Sequence, residues 1–281
     1  MSDFEVVEKY LEEWEEDVDL REVAGENLNK MGIFLQLLSK DFEDPLMIFG
    51  VQKQGEGKSY IAKKVLELFP DHMVIDVTDM KKAALYRRAQ QDKNYFNDKI
   101  VYFGEVPEQD EDRTVFQVFR QLVSEGKVSK ELVLDQEGDF EPERLELEGA
   151  PCVLTTTTNE GLINEQDLSR GMAYSPSISK EQNIQVREFQ NTDREFPEEL
   201  IHPEEIEETK QVIKCAMDLL SNDEVKLQNP FARDIDNQVP KNTDNIKRDY
   251  PKTLRIASEM PTYLYHRQRP NKRFLEQNIR L

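Results

Sequence analysis

The stretch whose residue types and spacing most directly imply chemistry is Gly55-Glu56-Gly57-Lys58-Ser59-Tyr60. It lies between a short apolar run, 46–49, and a helical pattern over 59–69 that Pro70 closes. Consecutive backbone N–H groups at the head of a helix converge on one spot, and the helix dipole makes that spot favourable for an anion. Gly57 lets the backbone close on a phosphate, and Gly55 supplies a second permissive φ. Lys58 reaches outer phosphates, and Ser59 offers a hydroxyl to Mg2+. Glu56 and Tyr60 complete the set read as lining the nucleotide. Five residues before Gly57, where such loops usually carry glycine, stands Gln52. That position needs a turn and no phosphate contact, so Gln52 is expected to adopt the turn at a modest conformational cost. The bland alternative is a chance Gly-Lys-Ser between a strand and a helix. The expected ligands are ATP and Mg2+.

Hydrolysis requires more than a cradle. A carboxylate at the end of a neighbouring strand must polarise water and help hold the cation. "KIVYFGEVPE" supplies Glu105, preceded by Gly104 where an aspartate would often bind Mg2+ through water. The metal is therefore assigned to Ser59, Glu105 and water. Were Glu105 only a strand-end carboxylate, the chain would bind ATP and hydrolyse it slowly. "TTTTNE" ends a later strand in polar groups, and Thr157, Thr158 or Asn159 can hydrogen-bond a γ-phosphate or the attacking water. A strand rich in threonine only for its β-branching is the alternative. Arg170 follows, placed to reach a phosphate on a neighbouring subunit.

These residues need elements to hold them. Strand patterns at 46–49, 73–77 and 99–103 alternate with helix patterns at 59–69, 80–90 and 114–124, which implies a parallel sheet with crossovers. Two period-2 runs around "QEGDFEPE" predict an inserted β-hairpin, and "PCVLTTTT" a further strand. Ahead of this core, helical faces are expected at 4–20 and at 26–39, the latter presenting Leu28, Met31, Phe34, Leu35 and Leu38. Beyond about residue 188 the pattern is helical, with Ile206, Val212, Ile213, Met217 and Leu220 on one face. Five prolines from Pro230 to Pro270 keep the last helices short. The fold class is thus α/β, a P-loop NTPase parallel sheet with flanking helices and an inserted hairpin, followed by a helical C-terminal region. The expected divisions are 1–44, an N-terminal helical segment; 45–190, the ATPase core; and 191–281, a helical lid and basic C-terminal region.

The chain has 281 residues and a net charge of −20, which argues against a uniformly basic nucleic-acid coat. Residues 241–281 nevertheless hold ten Lys/Arg against four Asp/Glu. No apolar run is long enough to span a membrane, and the N-terminus has no basic-then-apolar leader. Cys152 and Cys215 are read as two buried thiols in a reducing, cytoplasmic setting. His72, His202 and His266 are scattered, without zinc spacing.

The order of strand, phosphate loop and helix, acid-tipped strand, hairpin, polar-tipped strand and arginine resembles the AAA+ ATPase core. The blocks "VFRQLVSEGKVSKELV", "GAPCVLTTTTNE", "LSRGMAYSPSISKEQNIQV", "NPFARDIDNQVP" and "IKRDYPKTLRIASEMPTYLYHRQR" resemble helicase-like ATPases associated with primases of phages and mobile elements. The resemblance spans roughly 45–270 in scattered blocks. It implies ATPase roles for Lys58, Ser59 and Glu105, a sensor role for Thr158 or Asn159, and a trans arginine at Arg170. It further implies a homo-oligomeric ring acting on DNA, single-stranded by expectation, with a primase or other replication protein as partner. Lys247, Arg248, Arg267 and Arg269 would contact DNA or the partner, and "KKAALYRRAQQDK" is a further anion surface or a solvated helix face. Gln52, Gly104 and an acidic hairpin tip depart from the pattern. Two other functions stay open: an ATP-gated adaptor or loader that binds a protein without translocating DNA, and a protein holding nucleotide only as a structural ligand.

Overall fold

The computed structural model describes residues 23–42, 44–77, 80–106, 110–136, 139–163, 167, 170–195 and 203–221. All lie in the first of two compact units, Met1–Asp223 and Glu224–Leu281. The expected helix at 4–20, the basic residues of 241–281 and the side chain of Leu220 fall outside what is described.

Helix α1 (Asn27–Leu37) runs into a 3-10 turn and then strand β1 (Met47–Val51). The phosphate loop leads to α2 (Lys58–Leu66), followed by β2 (Val74–Asp76), α3 (Lys82–Gln91), β3 (Ile100–Glu105) and α4 (Asp110–Glu125). A hairpin, β4 (Lys127–Gln136) and β5 (Asp139–Glu148), precedes β6 (Cys152–Thr157). Then come β7 (Gly171–Tyr174), α5 (Lys180–Glu195) and α6 (Pro203–Ser221). The sheet order is β2-β3-β6-β1-β7, and every pair is parallel. A parallel sheet is covered on both faces, which is why its strands read as near-continuous apolar runs.

The two faces pack against different helices. Under α3 and α4 lie Phe49, Val101, Phe103 and Val153, with Phe103 edge-on to Phe116 at 5.1 Å and to Phe119 at 5.5 Å. On the other face Phe34 of α1 packs against Phe69, three residues past the end of α2. Lys210 of α6 reaches Glu67 at 2.6 Å and Lys214 reaches Asp71 at 3.0 Å, which fixes α6 beside the end of α2.

Four expectations need correction. Leu28 is 73% exposed and Val212 51% exposed, so neither belongs to the core face, whereas Phe34, Leu35, Leu38, Ile206, Ile213 and Met217 do. Cys215 is exposed on α6, and only Cys152 is buried. The hairpin strands pair as far as Gln136 opposite Asp139, so all of "QEGDFEPE" except Glu137 and Gly138, which lie outside the described residues, is strand. Pro142 sits within β5 because alternate N–H groups of a two-stranded ribbon have no partner strand. Finally, β7 and α5 were unexpected. β7 is only four residues long, and α5 is too polar to show an apolar stripe. Its start was nonetheless encoded by Ser179-Lys180-Glu181-Gln182, since the Gln182 N–H bonds Ser179 Oγ at 3.0 Å as an N-cap.

Candidate phosphate-binding site

A parallel sheet gathers its strand ends at one edge, and a ligand binds outside the carboxyl ends where the connections diverge. Here β1 is that point, with β6 on one side and β7 on the other. One row of the sheet decides the geometry. Gly50 of β1 pairs with Thr156 of β6 and Tyr174 of β7, and Thr156 pairs onward with Glu105 of β3. A Cβ at Gly50 would lie 2.5 Å from Tyr174 Oη and 3.0 Å from Thr156 Cγ2. The missing side chain is what lets both neighbours close in beneath α2. Both hold its first turn: Tyr174 Oη donates to Lys58 O at 2.8 Å, and Thr156 Oγ1 lies 3.1 Å from Ser59 Oγ. Burial, reinforced by Tyr102, raises the Tyr174 pKa far above the usual phenol range, so the donor keeps its proton.

The loop itself turns on two glycines, Gly55 at φ +88° and Gly57 at φ +82°, the latter capping α2. A Cβ at either would meet nothing within 4 Å, so φ alone demands glycine there, and the loop faces open space. Glu56 and Tyr60 are exposed beside it. Lys58 is buried to 7% exposure, with its ammonium 3.5 Å from Lys53 O across the loop. Gln52 costs nothing in backbone conformation, contrary to expectation, because its φ is not positive. Its side chain instead bridges outward. Nε2 donates to Ser175 Oγ at 3.1 Å, and Oε1 accepts the Lys53 N–H at 3.0 Å. The amide therefore ties the mouth of the loop to the segment after β7.

Glu105 reaches the row only because β3 is bulged. Tyr102 pairs with Leu154 and Glu105 with Thr156, so Phe103 and Gly104 oppose Thr155 alone. The extra residue shifts the alternation by one and brings Glu105 onto the α2 face. Gly104 holds the bulge at φ +71°, a conformation that an aspartate would adopt only with strain. The glycine that looked like a missing metal ligand is thus the hinge that aims the carboxylate. Glu105 Oε1 accepts from Thr158 Oγ1 at 3.4 Å. Thr157 turns the other way, bonding the Asn159 N–H and O at 3.1 Å each, and Asn159 Oδ1 accepts the Gly161 N–H at 3.0 Å.

A family model described as MTBMA_p00010 P-loop domain matches residues 4–223. The chain belongs to that P-loop family. A comparison with curated proteins gives no match.

The P-loop domain is a nucleotide-binding and, in general, nucleotide-hydrolysing unit, and the residues present fit that ligand. Gly55, Gly57, Lys58 and Ser59 meet at the mouth of the loop, with Glu105, Thr158 and Asn159 at the adjoining strand ends. Among the described residues no cluster of three His, Cys, Asp or Glu could cage a metal ion. Ser59 and Glu105 are the oxygen donors at the mouth of the loop that could hold Mg2+ together with the phosphates it accompanies. Arg170 is not among them. It is exposed and precedes Gly171, which pairs with Met47 at the opposite end of β1. Four strand residues, roughly 13 Å, separate that level from the P-loop. Asp167 is buried and accepts a hydrogen bond from Arg120 of α4. Sequence reasoning missed Thr156, Tyr174 and Gly50. The signal for Thr156 was the strand alternation itself, since Thr156 and Thr158 share a face that Thr155 and Thr157 do not. Among the described residues, no helix is long and apolar enough to cross a membrane.

Proposed function

We propose that this P-loop protein hydrolyses ATP with Mg2+ and couples that cycle to movement on DNA, as a helicase or translocase in replication of a mobile element. The observation that carries hydrolysis is the bulged β3, whose Gly104 sets Glu105 in the same row as the Ser59 partner Thr156. Lys58 neutralises phosphate charge, Glu105 orients water as general base, and Asn159 or Thr158 senses the γ-phosphate. Mg2+, which Ser59 and Glu105 would hold, would supply positive charge that offsets the charge developing on the phosphates.

Arg170 supports an assembly. It sits too far from its own P-loop for one side chain to span, so a catalytic role would be in the site of a neighbouring subunit of a homo-oligomeric ring. The motor reading also draws on the inserted hairpin, the basic 241–281 segment and the resemblance in motif order. The primary test is steady-state ATP hydrolysis with and without single-stranded DNA over a range of salt, for the native chain and Lys58→Ala. Stimulation by DNA that Lys58→Ala abolishes supports the motor. Mixing Lys58→Ala with Arg170→Ala subunits should restore part of the lost turnover if sites are shared between subunits.

One observation favours a second reading. The hairpin, residues 127–148, carries eight Asp/Glu against three Lys/Arg, a charge that repels a phosphate backbone. An ATP-gated adaptor or loader would present it to a basic protein surface. Turnover indifferent to DNA would select that reading.

A further inference from the structure

The hydrogen bonds around Ser59 fix which hydroxyl gives its proton to which. Gly104 O is a carbonyl and only accepts, and Thr156 Oγ1 donates to it at 2.6 Å. A threonine hydroxyl has one proton, so in the 3.1 Å contact between Thr156 and Ser59 the donor must be Ser59. Ser59 thereby commits its proton to the sheet and keeps its lone pairs for whatever lies on its other side. That is the state a hydroxyl needs in order to ligate a hard cation through oxygen. Without such a partner, a serine on the first turn of a helix can rotate and offer either proton or lone pair. Thr156 itself is fixed. It is 1% exposed, its methyl faces Gly50, and its acceptor is the backbone of the bulge.

We propose that Thr156 is a positioning residue of the metal site, holding Ser59 Oγ as an acceptor toward the divalent cation that accompanies the nucleotide. It acts from the strand beside β1, in a protein with no carboxylate at position 104. The proposal rests on the nucleotide reading above and adds to it a residue that touches neither phosphate nor metal.

The test separates the two. The full chain is titrated with a fluorescent ATP analogue in EDTA and in Mg2+, and the gain in affinity from Mg2+ is the readout. Thr156→Val should lose about tenfold of the Mg2+ gain, taken as the ratio of its affinities in Mg2+ and in EDTA. Thr156→Ser, which retains the hydroxyl, should keep the gain. Ser59→Ala should lose it to the same extent, and the double variant should lose no more than either single one, because both act through one oxygen. An undiminished Mg2+ gain in Thr156→Val overturns the proposal and leaves the nucleotide reading standing. So do additive losses in the double variant, or an equal fall of EDTA affinity in Thr156→Val, which would make Thr156 a packing residue. If Thr156→Val does not fold, Thr156→Ala is read in the same way. Native chain that binds no analogue in either buffer overturns the nucleotide reading itself, and the proposal with it.

Discussion

The two faces of one sheet do different work, and adjacent residues of the same strands divide it between them. On the face under α3 and α4, Phe49, Val101, Phe103 and Val153 meet Phe116 and Phe119 in an all-hydrocarbon contact. On the face under α2, the same strands present Gly50, Tyr102, Thr156 and Tyr174, three hydroxyls and a glycine, of which Thr156 and Tyr174 hold the P-loop helix. A hydroxyl buried without a partner is costly, and the bonds of Thr156 and Tyr174 remove that cost on the second face. The first face resists change through packing and the second through hydrogen-bond geometry. Substitutions on one should lower stability and leave the ligand site intact, and those on the other should do the reverse.

The largest expected effect belongs to the hydrocarbon face. Phe119 is fully buried, and Phe119→Ala leaves a cavity at the centre of the aromatic cluster. Loss of about 3–5 kcal/mol of unfolding free energy is expected. Urea denaturation measures it, and any protein still folded should bind nucleotide with unchanged affinity. A loss under 1 kcal/mol would mean this face is not the main source of stability.

Next in size is Lys58→Ala on the opposite face. Removing the charge that meets developing phosphate charge should lower turnover by roughly 100-fold or more. The melting temperature without nucleotide should stay close to native. A matching collapse of stability would break the comparison, since Lys58 would then be a structural lysine.

Gly104→Ala sharpens the contrast within a single strand. At φ +71° a Cβ costs roughly 1–2 kcal/mol. If the strand relieves that strain by losing its bulge, Glu105 leaves the row of Thr156 and hydrolysis falls while nucleotide binding persists. Binding and turnover measured on one preparation separate these outcomes. Parallel loss of both would assign Gly104 to the P-loop itself. Tyr174→Phe is gentler. It removes the 2.8 Å bond to Lys58 O, and about 0.5–1.5 kcal/mol is expected, read as weaker nucleotide affinity more than as lower stability.

The sequence announced the hydrocarbon face and most of the sheet, because apolar periodicity is a local signal and 46–49, 99–103 and 152–157 are nearly unbroken apolar or β-branched runs. It announced Gly55, Gly57, Lys58 and Ser59 for a similar reason, their spacing being contiguous. What it could not announce is register. That Thr156, Gly50 and Tyr174 share a row depends on which strands are neighbours, and β7 was too short to be seen at all. Gly104 was legible as a glycine but not as a bulge, for a bulge exists only relative to the partner strand. Gln52 looked like a defect because only the backbone role of its position was weighed, whereas its side chain does the work, with Ser175.

The smallest effect concerns Cys152, which lies on the α2 side of the sheet but far from the P-loop edge. Its thiol is buried, within 3.8 Å of Gln36 O, and burial pushes its pKa from 9.0 up to about 12. Near neutral pH it is a protonated, inert thiol, while Cys215 is exposed. Of the two cysteines, the folded chain should therefore alkylate one, and Cys215→Ser should alkylate none until denatured. The linkage has a definite sign. Between pH 9 and 12 the unfolded chain releases this proton and the folded chain keeps it, so stability falls as pH rises through that window and is unaffected below it. Cys152→Ala should flatten that alkaline decline. Rapid labelling of Cys152 in folded Cys215→Ser at neutral pH would show that α1 and this part of the sheet open readily. The hydroxyl-bearing face would then be loose along its length, and its order at the P-loop would need nucleotide to complete it.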